Sequence, residues 1–217
     1  MPKVGMEPIR KAAIINATLE CICEAGIESV TLEKVAAKAG CSKGVVAYYF
    51  KTKKQLLMGG MKAFLSYYKK KIGHEIRPGM SADEMLEVVV RISLPPMLDR
   101  GEGEAINVSE LSEPEELNVP PMQKAILFMQ FFSRAMTDGD YQVIIREVYE
   151  LDIAGMGEIM KYGIQSGLYR NVDADEKAYG LMSLIIGLSF FRVIGFFRQD
   201  GDNREICQQY LQDALKR

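Results

Sequence analysis

The sequence predicts an all-α protein, with an N-terminal three-helix domain that contains a helix-turn-helix, followed by a C-terminal helical bundle. Apolar residues recur every three or four positions in one segment after another, which is typical of amphipathic helices. Apolar and polar residues nowhere alternate over a stretch long enough to predict a strand. Two short helices joined by a tight turn are indicated near the N-terminus, so we place the domains at residues 1–52 and 53–217.

The first helix is predicted to begin near Pro8, because proline suits the first helical position, and to end at Gly26. Ile15, Leu19 and Ile22 share one face of this helix. We expect that face to brace the two helices that follow.

The predicted helix-turn-helix carries the signals of two capped helices. Thr31 is a suitable N-cap, and Gly40 is a C-terminal stop because its missing Cβ permits a positive φ. Ser42 can cap the second helix, on which Val46 and Phe50 lie one turn apart and are predicted to be buried. Because such a helix pair fits its second helix into the major groove, the sequence predicts DNA binding.

The outward surface of the second helix is small and nearly uncharged, so it could approach base edges closely. We predict base contacts from Lys43, Gly44, Val45 and Ala47. Hydroxyl and ammonium groups that suit phosphate contacts follow, on Tyr48, Tyr49, Lys51, Lys53 and Lys54. An ordinary helical hairpin with a solvated, lysine-rich end is the alternative.

Charge is distributed unevenly along the chain. Residues 1–75 hold 13 Lys and Arg against 6 Asp and Glu, a net charge of +7, whereas residues 76–217 carry −9 and the whole chain −2. A basic N-terminal third joined to an acidic remainder is expected when one domain alone meets nucleic acid.

A fourth helix is predicted over residues 53–74, with Leu57, Met61, Phe64, Leu65 and Tyr68 on one side. It runs from the first domain into the second and would link them mechanically. Gly59 and Gly60 inside it indicate either a bend or a closely packed neighbour.

The remaining segments are predicted to be helical apart from a break at residues 77–79, a turn at 138–140 and an acidic stretch at 99–121. That stretch is either a solvated loop with a short helix or an acidic rim that attracts a cationic effector. Apolar residues surround the helix predicted at 121–136, so we expect it to be central. Further helices are predicted at about 82–94, 141–167, 175–197 and 204–216.

Composition excludes several classes of function. Four scattered cysteines and a single histidine, His74, offer no metal-ligand spacing, and no nucleophile–base pair or phosphate-binding loop occurs. We therefore predict no cofactor, no metal and no enzymatic activity. The longest apolar run, residues 178–191, is too short to span a bilayer. Reduced thiols fit a cytoplasmic protein, with a redox role for Cys41 as the alternative to a small turn residue.

Residues 8–60 resemble the TetR family of bacterial repressors. The resemblance rests on Gly26, Thr31, the AxxAG of residues 36–40, Ser42-Lys43-Gly44, Tyr49-Phe50, and residues 53–57. It implies that Lys43, Gly44, Val45 and Ala47 read bases and that Thr31, Ser42, Tyr48, Tyr49 and Lys53 clamp the DNA backbone. Ala47 departs from the Tyr or Ser of many members, which puts one polar contact in doubt.

The opening residues, MPKVGMEPIRK, resemble the BetI-type, choline-responsive branch of that family. This implies a quaternary ammonium effector, which needs aromatic faces and often a nearby carboxylate. The chain departs from the branch in having no tryptophan. A larger lipophilic effector fits its Met- and Phe-rich bundle equally well. Candidate pocket residues are Phe64, Tyr68, Phe128, Phe132, Tyr149 and Met156.

The family resemblance also implies a homodimer that binds a palindromic double-stranded DNA operator, with the helices near 141–167 and 175–197 at the interface. Small residues there would allow close approach and phenylalanines would fill the seam: Gly180, Ser183, Gly187, Phe190, Phe191 and Phe197. We therefore expect a repressor released by a small molecule. A ligand-independent architectural or activator protein is the alternative.

Overall fold

The computed structural model describes residues 6–94, 121–196 and 203–216. Within these ranges the chain forms nine α-helices and no strand. They are α1 (Met6–Ala25), α2 (Leu32–Lys38), α3 (Lys43–Tyr49), α4 (Lys53–Glu75), α5 (Ala82–Ser93), α6 (Pro121–Ala135), α7 (Gly139–Gln165), α8 (Ala174–Val193) and α9 (Asn203–Leu215). A short 3-10 turn, Ile27–Ser29, lies between α1 and α2. The prediction of an all-α fold is confirmed, whereas residues 99–120 of the acidic stretch and Phe197 lie outside the described residues.

Helix ends lie within a few residues of the predicted ones because local caps set them. Gly26 and Gly40 adopt positive φ angles of 80° and 63° after α1 and α2. The turn predicted at residues 138–140 is placed about two residues too late, since α7 already begins at Gly139 rather than near residue 141. The Asp138 carboxylate accepts the N–H of Asp140 at 3.1 Å and so caps the first turn of α7.

The chain divides into two compact units, the first comprising Met1–Tyr67 and Gly103–Gln142 and the second Tyr68–Glu102 and Val143–Arg217. Two of the three points of division fall inside α4 and α7, so each of these helices contributes to both units, and the third lies outside the described residues. These units are defined by which residues pack together, whereas the predicted boundary after residue 52 separates a DNA-binding from an effector-binding domain. That functional boundary stays a prediction.

The first unit packs α1, α2, α3, the first part of α4 and α6 around one core. Its fully buried side chains include Ile14, Leu19, Ile22, Val35, Val46, Leu56, Met61, Phe64, Leu127 and Phe131. A Cβ on Gly60 would lie 3.5 Å from the Leu19 side chain, and one on Gly59 would lie 2.7 Å from the Phe50 ring. Gly59 and Gly60 of α4 therefore allow close neighbours, which is the second of the two explanations offered by the sequence.

Helix α6 is less central than its composition predicts. Leu127, Phe131 and Ala135 form a buried stripe, but Met136, just after its end, is 75% exposed and Phe132 lies on the surface of the chain. Apolar residues occur on all sides of the helix, whereas only the residues on one side are buried within this chain.

The second unit has its own core, built from α5, α7, α8 and α9. Leu86, Val90, Met160, Ala178 and Leu181 lie at its centre. Tyr169 packs its ring on Gly163 and donates its hydroxyl to Asp83 Oδ1 at 2.8 Å. Tyr210 of α9 likewise packs on Gly180 of α8 and donates to the Lys177 carbonyl at 3.0 Å.

Candidate functional site

The two helices of the predicted DNA-reading motif are capped as the sequence indicates. Thr31 Oγ1 accepts the N–H of Lys34 at 3.2 Å, and Ser42 Oγ accepts the N–H of Val45 at 3.3 Å. Because the Ser42 hydroxyl acts there as an acceptor, its own hydrogen can still be donated to a phosphate oxygen, whereas the Thr31 hydroxyl also hydrogen-bonds the Glu33 carboxylate. Val35 and Val46 are fully buried and lock α2 and α3 together.

The outward face of α3 presents the residues predicted to contact bases. Lys43 and Gly44 are exposed, and Val45 and Ala47 are half-buried. A Cβ on Gly44 would meet only Ser42 Oγ, at 3.7 Å, so packing within the chain does not require glycine there. Because Gly44 has no side chain, a ligand can approach the helix backbone closely at this position.

Tyr48 and Tyr49 follow at the end of α3. The Tyr48 ring is 73% exposed, Tyr49 is half-buried, and their rings meet edge to face with centroids 5.1 Å apart. An aromatic ring carrying a hydroxyl in such an exposed position is suited to contact a sugar–phosphate backbone.

Several lysines of this region are held by groups of the chain. Lys43 Nζ lies 2.6 Å from Glu33 Oε1, and this hydrogen bond is the main cause that lowers the pKa of the Glu33 carboxyl. Lys53 Nζ donates to the Glu28 carbonyl at 2.5 Å, and Lys34 Nζ donates to the Ser29 carbonyl at 2.9 Å. An ammonium group has three donors, so each lysine can add a phosphate contact without leaving its present partner.

A polar latch, which the sequence did not reveal, ties α6 to the turn after α1. Gln130 Oε1 accepts the N–H of Ile27 at 2.6 Å, and Gln130 Nε2 donates to the Ile22 carbonyl at 3.4 Å. Arg134 Nη1 lies 2.7 Å from Glu28 Oε1. We call Gln130, Arg134 and Glu28 the α6 latch. These partners are more than 100 residues apart, so no local sequence pattern could predict their contact. The one clue was the presence of two polar residues, Gln130 and Arg134, four positions apart in an otherwise apolar helix.

Next to the latch, Lys54 joins α4 to the start of α7. Its Nζ lies 3.0 Å from Asp138 Oδ2 and 2.6 Å from Asp140 Oδ2. Together with the latch, this double ion pair fixes the base of the helix-turn-helix against α6 and α7 within the first unit.

The six residues predicted to line an effector pocket are divided between the two units. In the first, Phe64 is buried beside Phe131, with ring centroids 6.0 Å apart, and Phe128 stacks on Phe132 at 5.9 Å. In the second, Met156 is buried in the core and Tyr149 is packed against it. Tyr68 also belongs to the second unit, where the charge of an ionised Tyr68 would raise the pKa of the Tyr149 phenol. The structure therefore brings them together in smaller groups rather than as one set.

Asp152 lies beside the last of these groups and was missed by the sequence analysis. Burial raises the pKa of its carboxyl to about 6, and the Lys69 ammonium only partly opposes that rise. Burial, and then the nearby charge of Asp152, raises the pKa of the Tyr149 phenol. The available signal was its position, because an acid three residues after Tyr149 and four before Met156 falls on the apolar face of α7.

The residues predicted at a dimer interface divide into three groups. Phe190 and Phe191 are exposed by 46% and 41%, Ser183 is exposed, and a Cβ on Gly187 would meet nothing within 4 Å. Gly180 is a correction, since the Tyr210 ring of the same chain occupies the space above it. Phe197 lies outside the described residues. Large apolar side chains that were not predicted extend the exposed surface: Tyr179, Ile194 and Phe196.

The four cysteines are free thiols. Burial raises the pKa of Cys23 and Cys207 to about 11 and also raises that of Cys21, so these three stay protonated.

In the ranges that the structure describes, no group of three or more His, Cys, Asp or Glu residues is placed to hold a metal ion. Among those same residues, no helix combines the length and hydropathy that crossing a membrane requires.

Comparison with protein families gives a match at the N-terminal end. Residues 14–58 match the family described as bacterial regulatory proteins, tetR family. The HTH-type transcriptional regulator BetI of Klebsiella pneumoniae (strain 342) is 37% identical over 92 residues, which are 42% of this chain and 47% of that protein. BetI of Serratia proteamaculans (strain 568) is 43% identical over 67 residues, 31% of this chain and 34% of that protein. The chain thus matches less than half the length of these curated relatives.

Solved structures resemble the fold over nearly the whole chain. A transcriptional regulator of Saccharomonospora viridis in complex with choline gives a TM-score of 0.75 at 18% identity, covering 95% of this chain and 98% of that one. FadR of Bacillus subtilis in complex with stearoyl-CoA gives 0.67 at 19% identity, covering 92% and 95%. At such identities the likeness concerns the fold alone. The similar proteins named here are described as regulators, in agreement with the prediction that the chain is not an enzyme.

Proposed function

We propose that this chain, whose residues 14–58 are the N-terminal helix-turn-helix domain of the tetR family, is a ligand-responsive transcriptional repressor. It binds a palindromic operator as a homodimer and releases the DNA when a small molecule binds. Residues 1–52 bind DNA, and residues 53–217 bind the effector and dimerise. The protein acts in the cytoplasm, where bacterial DNA is found.

The observation that carries this proposal is the outward face of α3. Two side-chain caps and two fully buried valines hold α2 and α3 rigidly, so the exposed residues of α3 are presented on a fixed scaffold. A first turn bearing Lys43, an unhindered Gly44 and the small apolar Val45 and Ala47 suits a major groove, where a thymine methyl can be read by apolar contact.

Phosphate contacts belong to the groups around that turn. Thr31 and Ser42 have hydroxyl groups, Tyr48 and Tyr49 have phenols, and Lys53 keeps two of its three donors. These contacts set the position of α3 without reading sequence. One helix reads only a few base pairs, so a palindrome is read by two copies about 34 Å apart.

Release requires a link from the effector to α3. Helix α4 runs without interruption from Lys53, beside the DNA-reading motif, to Glu75 in the second unit. The α6 latch holds the turn between α1 and α2 through Ile27 and Glu28. A displacement of α4 or α6 would therefore shift α3, and about 1.4 kcal/mol of coupling suffices for a tenfold loss of DNA affinity.

Two classes of effector agree with the sequence: a quaternary ammonium compound and a lipophilic compound. The two similar structures described above hold one ligand of each kind, choline and stearoyl-CoA. Both classes can meet the aromatic and methionine side chains of the predicted pocket residues.

The test is fluorescence anisotropy of the purified protein on labelled DNA from upstream of its own gene, with and without choline or a long-chain acyl compound. Saturable binding to that DNA, absent on scrambled DNA and relieved by one ligand, supports the repressor. Specific binding that no ligand relieves favours the ligand-independent alternative. Binding that does not distinguish the two DNAs contradicts an operator upstream of the gene.

Two variants separate the proposed phosphate and base contacts. Lys53→Ala should weaken binding to all sequences alike and reduce the slope of log K against log [salt] by about one, since one phosphate contact is lost. Val45→Ala should leave that slope unchanged and alter sequence preference instead. A salt slope unaffected by Lys53→Ala would remove Lys53 from the phosphate contacts.

A further inference from the structure

Lys54, in the first turn of α4, is bound by two carboxylates at the start of α7. Its Nζ lies 3.0 Å from each carboxylate oxygen of Asp138 and 2.6 Å from Asp140 Oδ2. The hydrogen bonds to Asp140 and then to Asp138 raise the pKa of the Lys54 ammonium, and the same contact lowers the pKa of the Asp138 carboxyl. All three residues belong to the first unit. We call them the α7 clamp.

The acidic half of the clamp is fixed by the beginning of α7 itself. The Asp138 carboxylate accepts the N–H of Asp140 at 3.1 Å, and the Asp138 carbonyl accepts those of Tyr141 at 3.2 Å and Gln142 at 3.1 Å. The Tyr141 side chain is 1% exposed, so this turn is anchored in the core. Two carboxylates also suit the positive end of a helix dipole. They therefore hold their positions independently of Lys54.

The basic half of the clamp lies on a turn that is also fixed. Thr52 Oγ1 accepts the N–H of Gln55 at 3.1 Å at the start of α4. Phe50, which directly follows α3, is buried, and its ring occupies the space above Gly59 of α4. Lys54 is thus on the part of α4 that carries α3. An ion pair between two fixed turns costs less conformational entropy than one between mobile segments.

This geometry makes Lys54 unsuitable for the phosphate contact that its residue type suggests. An ammonium group has three donors, and those of Lys54 face three carboxylate oxygens, whereas Lys53 is bound to a single carbonyl. Two negative charges against one positive charge leave a local excess of one negative charge, which repels a phosphate. A phosphate could reach Lys54 only by displacing Asp138 and Asp140.

Helix α7 connects the clamp to the second unit. Its residues up to Gln142 belong to the first unit, and those from Val143 to Gln165 belong to the second. The chain of contacts therefore runs from α7 through Asp138 and Lys54 to α4, and from α4 through Phe50 to α3. Two copies held together through their second units would each place α3 through this chain of contacts.

From these contacts we infer that Lys54 is a positioning residue, which with Asp138 and Asp140 fixes α3 relative to α7 and so sets the half-site spacing that the protein accepts. The inference rests on the proposed function, because spacing has a meaning only for two copies on a palindrome. It adds to that function the residues that hold each recognition helix at its distance from the other.

The test measures spacing preference by fluorescence anisotropy with the full-length protein. The operator is first mapped by footprinting on fragments that the wild type binds. Binding is then compared on the half operator, on the whole operator, and on whole operators with two base pairs added or removed at the centre. Such a change moves the half-sites apart or together and rotates them about the DNA axis. We expect the wild type to prefer the native spacing at least about tenfold.

Lys54→Ala should reduce that preference to about threefold or less, because α3 is no longer held at one position relative to α7. Its affinity for the half operator, and the slope of log K against log [salt] there, should equal those of the wild type, since no phosphate contact is lost. Lys54→Arg keeps the charge and should largely restore the preference. Lys62→Ala is the matched control, because Lys62 is an exposed lysine of the same helix in the same unit, and it should change nothing.

A variant of the acidic half tests the same clamp from α7. Asparagine caps a helix as well as aspartate does, so Asp138→Asn combined with Asp140→Asn removes the charges and keeps the turn. This double variant should lose the spacing preference as Lys54→Ala does, and adding Lys54→Ala to it should produce little further loss. Glu147→Gln, at an exposed acid of α7, is its control. Melting temperatures, measured alongside, show which variants are folded at the temperature of the binding assay.

Several results would overturn the inference. A half-operator salt slope reduced by about one in Lys54→Ala would make Lys54 a phosphate contact instead. An unchanged spacing preference in folded Lys54→Ala, or losses from the two halves of the clamp that simply add, would show that the ion pairs do not position α3. A wild type that tolerates every spacing would do so without any variant.

Failure of the inference and failure of the proposed function give different results. A wild type that binds a palindrome and is released by a ligand, while Lys54→Ala keeps the native preference, leaves the proposed function standing and rejects the clamp. A wild type that binds no DNA specifically, or binds whole and half operators alike, rejects the homodimeric repressor and the clamp with it.

Discussion

Gly44 shows how a single missing side chain separates folding from binding. It lies in the first turn of α3, exposed, with a conventional helical φ and open space around its Cα apart from Ser42 Oγ. Gly60 is the opposite case, because Leu19 and Thr18 pack directly against it. A glycine that the fold does not need, on the surface proposed to enter DNA, is best explained by what approaches that surface.

Gly44→Ala should therefore leave the melting temperature unchanged or raise it, because alanine favours a helix over glycine by up to about 1 kcal/mol. The same change should weaken operator binding, since a methyl group now stands between the backbone and the base edges. Differential scanning fluorimetry and anisotropy would measure the two effects. Gly73→Ala is the control, as Gly73 also lies in a helix with nothing within 4 Å of its Cβ position. An unchanged DNA affinity in Gly44→Ala would show that bases do not approach there.

Asp152 makes a second prediction at the residue scale, on stability against pH. Burial raises its pKa from 3.8 to about 6, with Lys69 opposing the rise and the Tyr149 phenol, whose own pKa is raised, remaining a neutral neighbour. The folded state then binds more protons than the unfolded state between those values, so this group destabilises the fold above pH 6 and ceases to do so near pH 4. At about 1.4 kcal/mol per pKa unit, the ionised carboxyl costs up to about 3 kcal/mol.

Asp152→Asn should accordingly stabilise the protein in urea unfolding at pH 8 by up to about 3 kcal/mol and by much less at pH 4.5. Glu150→Gln should show no such difference between the two pH values. If Asp152→Asn proves destabilising at pH 8, the ionised carboxylate is stabilised in the folded protein, and its burial is not a cost.

At the scale of helices, the α6 latch is the feature that joins distant parts of the first unit. The Ile27 N–H is part-buried and has the Gln130 carboxamide as its acceptor. Gln130→Ala would leave that donor unsatisfied, which costs about 1–3 kcal/mol. We expect a lower urea midpoint together with weaker operator binding at a temperature where the variant is fully folded.

Gln142→Ala is the matched control for the latch, because Gln142 is an exposed glutamine of the same unit. Loss of stability in Gln130→Ala with normal DNA affinity would mean that the latch supports the fold but does not position α3.

The helices also show which features a sequence can predict. Thr31, Ser42, Gly26 and Gly40 act on neighbours within a few residues, so the limits of α1, α2 and α3 follow from local chemistry. The latch could not be predicted, since Gln130 and Ile27 are 103 residues apart and meet only through the folded core. Gly180 was assigned to a dimer contact because the sequence shows that it is small. The sequence does not show that Tyr210, 30 residues later, fills the space above it.

At the scale of the whole molecule, the surface of α8 and the turn after it is the strongest indication of a second copy. Phe190, Phe191, Ile194 and Phe196 are exposed large apolar residues within one short segment, and the Phe191 ring meets that of Phe196 edge to face at 5.1 Å. An exposed apolar surface of this kind marks an interaction site. A twofold dimer would bury the same segment of both copies against each other, which is the symmetry that the proposed palindromic operator would require.

Phe191→Glu should therefore convert the proposed dimer to a monomer, because each twofold interface would bury two carboxylates without partners. Sedimentation velocity would measure the mass, and anisotropy on whole and half operators would measure the consequence. The wild type should bind the whole operator far more tightly than the half, whereas the variant should bind both about equally. Met136→Glu is the control, since Met136 is equally apolar and 75% exposed but belongs to the first unit. If Phe191→Glu remains a dimer with full preference for the whole operator, the two recognition helices are held at their spacing by another surface.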